Sequence, residues 1–287
     1  MHRYDHAAER PEDRRALLEN PDRLTELISR RLYEISRRDY RGRENGFRQA
    51  DGASAVLLLL GARCGPDGQG PCLILNKRSA RVRQPGDICC PGGGITPMLD
   101  RLLSKFLPLP GLPLGRWSYW HRWHGDRRLN GGAMPLLLAT GLREGFEEMR
   151  LNPLGFRFLG PMPPFTLRIF RRQIFPMVGW IPRQERFRPN WEVDRVVRIP
   201  LVDFWETERY ANYRVSFSRG IKPHFNRASE DFPCFRFEND GRPELLWGVT
   251  YRIIMNFMTS VLSFAPPEIA DLPVIRGRLR GSYITRK

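Results

Sequence analysis

The sequence predicts an α/β (α+β) fold with a mixed β-sheet. Three observations point to it: a charged N-terminal stretch with helical spacing, a series of short apolar runs separated by Gly and Pro, and two longer apolar stretches of helical period, one mid-chain and one near the end. Strands enclosed between helices give this class.

Taken in order, residues 11 to 38 place Leu17, Leu18, Leu24, Leu27, Ile28, Leu32 and Ile35 at mostly helical spacing with charge between them, which predicts an N-terminal helical segment. From Ala53 the pattern changes. ASAVLLLLGAR and PCLILNKRS are short apolar runs joined by GPDGQGP, and read as adjacent strands around a turn. MPLLLATGLREGFEEMRL reads as a helix with Pro135 near its start, where proline is tolerated. At about 100° per residue it sets Leu138, Leu142, Phe146 and Met149 on one face, opposite Glu144, Glu147 and Glu148. Then FRFLG, QIFPMVGWI, EVDRVVRIPL, YRVSFS and PCFRFE read as strands, and GVTYRIIMNFMTSVLSF as a last helix before Pro266 and Pro267. The chain therefore divides into a helical segment (1–50), a main domain (51–265) interrupted by an insertion at about 101–134, and a basic C-terminal tail (266–287) whose order is left open.

At 287 residues and 41% hydrophobic content the chain can supply a core. Its formal charge is +16, and 43 of its 47 basic residues are arginine. Guanidinium groups bind phosphates bidentately, so the charge fits nucleic acid, anionic lipid or a phosphate-rich small substrate; GC-biased codon usage gives the same excess. Nucleic acid is the lesser of the partner readings, and the small phosphate-rich substrate is favoured. There is no apolar run of membrane-spanning length, and the start, MHRYDHAAERPEDRR, lacks the form of an export signal. Cys64, Cys72, Cys89, Cys90 and Cys234 are odd in number and form no CxxC pair, against a disulfide framework or a zinc site. The expectation is a protein of the reducing cytoplasm with no membrane partner.

Glutamates at i, i+3 and i+4 on a helix share one arc, so the carboxylates of Glu144, Glu147 and Glu148 converge. Like charges brought together call for a cation, and a hard divalent ion, Mg²⁺ or Mn²⁺, is the usual one. The other reading is a solvated acidic face. Upstream, RSARVRQPGDICCPGGGITP places Gly92, Gly93 and Gly94 after a strand, where backbone can approach an anion closely. Arg78, Arg81 and Arg83 just before it complete a diphosphate platform, although three glycines alone also suit a plain turn.

Residues LREGFEEMRL resemble the second half of the Nudix box, and LNKRSARVRQPGDICCPGGG resembles the added signature of its coenzyme A diphosphatase branch. Segments WEVDRVVRIPL and LLWGVTYRII are similar to that branch too, so the likeness runs over about residues 53 to 264. The resemblance implies a Nudix-like α/β/α sandwich with a catalytic loop and helix, and metal-dependent cleavage of a nucleoside-diphosphate-linked small molecule. Coenzyme A and its thioesters are the implied substrates, yielding 3′,5′-ADP and 4′-phosphopantetheine or its acyl form. It also implies roles: Arg143 orients the carboxylates, Glu144 is a metal ligand or the base, and Glu147 and Glu148 are the principal metal ligands. Gly93 opens the box, Asp100 lies near its first acidic position, and Glu192 adds a carboxylate beside the metal. The alternatives are a Nudix hydrolase for ADP-ribose, a dinucleotide or an RNA cap, and a non-catalytic Nudix fold that binds RNA or a nucleotide.

The chain departs from the pattern in four places. Asp100 and Arg143 are separated by an insertion, Arg150 replaces the closing glycine, Cys90 stands for the aromatic before Pro-Gly-Gly, and Gln84 for a histidine of the branch. Such an insertion costs little, because loop closure rises only logarithmically with length. Its ends join the glycine loop to the glutamate helix, so it is expected to fold over the site. Trp117, Trp120 and Trp123, with Arg116, Arg122, Arg127 and Arg128, would either stack on a base or form a small core of the insertion. His121 and His124 are a weak metal pair without acidic or cysteine partners, and Cys89 and Cys90 read as packing residues.

Overall fold

The structure is a computed structural model that describes residues 11–39, 53–64, 70–126, 133–167, 172–184, 186–217, 229–279 and Tyr283. Helices α1 (Pro11–Leu18) and α2 (Pro21–Asp39) come first, followed by strands β1 (Ala53–Gly61), β2 (Cys72–Arg78), β3 (Ile88–Cys89) and β4 (Gly92–Gly94). Next are helices α3 (Pro97–Phe106), α4 (Trp120–Gly125) and α5 (Ala133–Met149). Strands β5 (Arg157–Pro161), β6 (Phe165–Leu167), β7 (Arg172–Ile181), β8 (Val193–Pro200), β9 (Tyr210–Phe217), β10 (Ser229–Asn239) and β11 (Arg242–Trp247) lead to helix α6 (Gly248–Leu262) and strand β12 (Val274–Leu279).

The main sheet is mixed. Its path is β3-β2-β1-β7-β5, with β4 on β1, β6 on β7 and β8 on β2. Strands β1 and β7 run parallel, Ala53 beside Gln173 through Gly61 beside Ile181, and the other pairings are antiparallel. Strand β1 has both faces buried, which is why ASAVLLLLG is a continuous apolar run rather than an alternation. Leu58 and Leu60 enter the core formed with α2 and α6, whereas Leu57 and Leu59 enter the core formed with α5 and the 101–134 region. The sheet is thus a middle layer between helices, and the molecule is of mixed α+β class. A second sheet, β11-β10-β9-β12, carries the C-terminal strand parallel to β9.

Each predicted strand from FRFLG to PCFRFE is present, as are the mid-chain and C-terminal helices. The 11–38 stretch is two helices rather than one, because Asn20 and Pro21 break it, Pro21 opening the second. Residues 92–94 are not a free loop: they pair with β1, Gly92 opposite Val56 and Gly94 opposite Ser54. The segment after Pro273, left open between order and disorder, pairs with β9 over Val274–Leu279. Phe146 does not join the buried face of α5 and is 45% exposed. The helix instead approaches the sheet along Gly141 and Gly145, where an added Cβ would stand 2.7 Å and 3.1 Å from Leu57, so the buried arc centres on those glycines and turns Phe146 outward. The turn at residues 65–69 lies outside the described residues, as do Arg127 and Arg128.

Candidate active site

Helix α5 lies against β4 and carries its glutamates there. Glu148 is buried at 8% exposure and its Oε2 accepts from Asn76 Nδ2 at 2.8 Å and from the Gly92 N–H at 3.3 Å. Glu144 rests on the strand itself: a Cβ added to Gly93 would stand 2.3 Å from Glu144 Oε1, so only glycine admits this carboxylate. Gly92 has φ +152, and a Cβ there would meet the Ala55 carbonyl at 2.3 Å. The glycines expected to form an anion cradle therefore also make room for carboxylates and for β1.

Arg143 is the hub of the polar cluster. Its Nε donates to Asp100 Oδ1 at 2.7 Å, one terminal nitrogen to Glu144 Oε1 at 3.0 Å and to the Gly94 carbonyl at 2.9 Å, and the other to Glu147 Oε2 at 3.0 Å. Asp100 is fully buried and also accepts from the Thr96 N–H at 2.7 Å and Thr140 Oγ1 at 2.9 Å. The first acidic residue, separated from Arg143 in the sequence, thus meets it through α3. Burial disfavours the Arg143 cation, but the hydrogen bond to Asp100 and the charges of Glu144, Asp100 and Glu147 more than offset this and raise its pKa.

The three glutamates of α5 do not converge as one set. Glu147 is turned outward, with its side chain 49% exposed and held by Arg143. Glu192 takes part instead. It follows Asn190, whose Oδ1 accepts from the Glu192 N–H at 2.8 Å and whose own N–H donates to the Glu148 carbonyl at 2.8 Å. Ser79 ties down the same segment, its N–H on the Glu192 carbonyl and its hydroxyl on the Trp191 carbonyl, both at 2.8 Å. Burial, opposed by Arg143, raises the Glu144 pKa, and the charges of Glu147 and Glu192 add to the rise. Glu148 is pushed up to about 8, by burial first and then by Glu144, with a smaller push from Glu192; the bonds from Asn76 and Gly92 work the other way.

Among the described residues no group of three or more His, Cys, Asp or Glu side chains stands placed to hold a metal ion. In chemistry, however, the donor set fits a hard divalent cation. It offers carboxylate oxygens, and among the described residues the hydrogen bonds to Glu148 come from the neutral Asn76 amide and Gly92 N–H, so its repulsion with Glu144 is not offset by a cation on Glu148 itself.

The upstream arginines take separate positions. Arg78 is half-buried and its Nε donates to the Arg83 carbonyl at 2.7 Å, whereas Arg81 and Arg83 are exposed on the turn between β2 and β3. Asn76, Ser79 and Asn190 have positioning roles that the sequence does not assign. Asn76 had a usable signal, a polar side chain closing the apolar run PCLILN, but Ser79 and Asn190 reach backbone distant in sequence, which no local pattern announces.

The expected lid is not built from the tryptophans. Trp117, Trp120 and Trp123 are 3%, 7% and 1% exposed and belong to the core beneath the sheet. Trp117 Nε1 donates to Ser29 Oγ at 2.9 Å and to the Leu159 carbonyl at 3.0 Å, and its ring packs on Phe158 at 5.1 Å. They share one buried core with α5 residues Leu138 and Leu142 and β1 residues Leu57 and Leu59, so they serve packing rather than an open stacking face. His121 and His124 are exposed, and the His124 ring lies 5.2 Å from Trp120. Cys89 and Cys90 are thiols raised by burial, Cys89 to about 12, consistent with packing rather than nucleophilic use.

No family model matches the chain. Curated proteins similar to it include the "Uncharacterized Nudix hydrolase NudL" of Pectobacterium atrosepticum, 36% identical over 123 residues, or 41% of this chain and 62% of that protein. The protein of the same name from Escherichia coli O1:K1 is 33% identical over 109 residues, covering 36% of this chain and 56% of its own length. The chain therefore spans less than two thirds of either relative. Solved structures resemble it loosely: a Nudix hydrolase from M. smegmatis, RenU, at 15% identity and TM-score 0.33 over 54% of this chain and 74% of that one, and a MutT/nudix family protein from Enterococcus faecalis at 10% identity and TM-score 0.37 over 85% and 75%. The sequence matches thus make part of this chain similar to proteins named as Nudix hydrolases.

Proposed function

We propose that the cleft between β4, α5 and the Glu192 segment hydrolyses the diphosphate bond of a nucleoside-diphosphate-linked small molecule, with coenzyme A and its thioesters as substrates. The observation that carries this reading is the pair Glu144 and Glu148, held on glycine backbone with Glu192 beside them and, among the described residues, without a cation paired to Glu148. Glu144 and Glu148 would hold Mg²⁺ or Mn²⁺ with Glu192 beside them, and Glu147, which Arg143 turns outward, would join them only by leaving that ion pair. The ion would supply positive charge to the carboxylates and to the diphosphate oxygens.

The chain's own residues do the rest. Arg143, fixed by Asp100, holds Glu144 and Glu147 at set positions, so neither must be ordered when substrate binds. Glu144 accepts the proton of the attacking water, since a carboxylate with a raised pKa is a better base near neutral pH, and Glu192 beside it is the other carboxylate in reach. Arg78, Arg81 and Arg83, with the backbone of Gly92, Gly93 and Gly94, receive the diphosphate and further phosphate groups. Attack at one phosphorus leaves two phosphate monoesters, which for coenzyme A are 3′,5′-ADP and 4′-phosphopantetheine. The choice of substrate rests on the Lys77-Arg78-Ser79 signature and the downstream segments similar to the coenzyme A diphosphatase branch.

A panel of coenzyme A, acetyl-coenzyme A, ADP-ribose, a dinucleoside polyphosphate and capped RNA, each with Mg²⁺ or Mn²⁺, tests the reading. Metal-dependent release of 3′,5′-ADP from the coenzyme A substrates at the highest kcat/KM supports it. Preference for another member overturns the substrate, and no cleavage of any member overturns the enzyme.

A further inference from the structure

Helix α3, which brings Asp100 to Arg143, turns most of its surface away from the protein. Asp100 is fully buried, Leu107 follows the helix at 9% exposure, and Ser104 is half-buried, so this is the docked side. The opposite side is apolar and uncovered. Met98 is 88% exposed, and Leu99, Leu102, Leu103, Phe106 and Leu109 lie between 37% and 54%. These are six of the eleven large hydrophobic side chains exposed among the described residues, gathered on one helix and the turn after it. At about 100° per residue the helical five span an arc of about 140°. Arg101 and Lys105, both exposed, border that arc on the edge away from the docked side.

An uncovered apolar arc of this width on an otherwise charged chain marks a binding surface. Its borders identify the occupant. A helix with leucine and phenylalanine on one face, flanked by Arg and Lys, fits the plane of an anionic bilayer, where the apolar side chains enter the headgroup boundary and the cations meet lipid phosphates. The chain's net charge of +16 adds a long-range attraction to the same surface. No helix among the described residues is long and apolar enough to cross a membrane, so contact is peripheral. A second copy of the chain would instead bring Arg101 and Lys105 against like charge on a molecule already strongly positive.

We propose that α3 is an interfacial docking helix that seats the protein on anionic lipid surfaces through Met98, Leu99, Leu102, Leu103, Phe106 and Leu109, with Arg101 and Lys105 at the phosphates. Because α3 also carries Asp100, docking holds the glutamate cluster beside the bilayer. The proposal concerns binding and is independent of the hydrolase reading.

Co-sedimentation of the full chain with phosphatidylcholine vesicles, with and without phosphatidylglycerol, tests it. The chain is expected to pellet with the anionic vesicles and to lose affinity about tenfold or more in Leu102→Glu with Phe106→Glu, and likewise in Arg101→Glu with Lys105→Glu. Both pairs are exposed, and circular dichroism confirms that each variant folds; should the first fail to fold, the second carries the test. Reversing two remote cations, Arg15→Glu with Arg23→Glu, is expected to change binding about twofold or less. Three results overturn the proposal: no binding to anionic vesicles; an equal loss in the remote variant, which assigns binding to net charge; and concentration-dependent self-association that Leu102→Glu with Phe106→Glu abolishes, which assigns the face to a second copy.

Discussion

Arg143 Nε donates to Asp100 Oδ1 at 2.7 Å across 43 positions of sequence, and this bond ties helix α3 to the glutamate helix α5. Asp100 has no solvent to replace its partners. Removing it takes the acceptor of the Arg143 Nε–H and of the Thr96 N–H, and leaves the Thr140 hydroxyl only the Leu136 carbonyl.

Asp100→Ala is therefore expected to cost about 3 kcal/mol of stability, the range for breaking a buried ion pair from one side. Asp100→Asn keeps the shape but not the charge. It is expected to fold, with kcat reduced about tenfold or more as Arg143 loses its anchor and the glutamates their fixed positions. Urea unfolding and steady-state kinetics on both variants check this, and an Asp100→Asn protein with wild-type kcat contradicts it.

Arg150 closes α5 with φ +56, where the resembling pattern has glycine. Its N–H bonds the Phe146 carbonyl at 3.0 Å, and its guanidinium lies 4.9 Å from the Phe146 ring. A non-glycine residue in the left-handed region costs about 1 kcal/mol, and an exposed cation–π contact returns about half of that. Arg150→Gly is expected to raise stability by about 0.5 kcal/mol without changing kcat. A lower unfolding midpoint would show that the ring contact outweighs the strain.

Asp87 joins the two sheets, accepting from Trp247 Nε1 at 3.3 Å and from the Tyr283 hydroxyl. Burial raises its pKa to about 6, against the pull of those two bonds and of Arg78. A carboxyl whose folded pKa lies above its unfolded value contributes stability below the unfolded value, and that contribution is lost as pH rises through the folded one. Stability is thus expected to fall between about pH 4 and pH 6 from this group, by roughly 3 kcal/mol. Asp87→Asn should flatten that part of the profile, measured as unfolding free energy against pH; a wild-type slope in the variant assigns it elsewhere.

Much of the fold was legible because the strands are short, apolar and bounded by Gly or Pro, and because β1, buried on both faces, is a continuous apolar run. Strand β4 was not legible, since three glycines carry no side-chain pattern and their pairing to β1 depends on register alone. Glu144 and Glu148 could be picked out by helical spacing, but Glu147 follows Arg143 outward, a choice made by ion pairing rather than by period. Phe146 failed for a related reason: the glycines, not the bulky residues, decide which side of α5 meets the sheet.

An insertion folded over the site as a lid would, if residues 104 to 131 were replaced by a short Gly/Ser bridge, raise KM and leave the fold intact. The buried Trp117, Trp120 and Trp123 lead to a different outcome. Truncating one buried tryptophan alone costs about 3 to 5 kcal/mol, so loss of all three is expected to unfold the chain. Retained cooperative unfolding with raised KM would restore the lid.

Glu148 is proposed to belong to a cation-holding site for diphosphate hydrolysis. The most direct test is the rate of 3′,5′-ADP release from coenzyme A by Glu148→Gln in Mg²⁺ or Mn²⁺. The amide keeps the size of the side chain and its reach to Asn76 while removing the charge, so the variant is expected to fold and to lose about two orders of magnitude or more in kcat. A folded Glu148→Gln protein that releases 3′,5′-ADP at the wild-type rate contradicts the account.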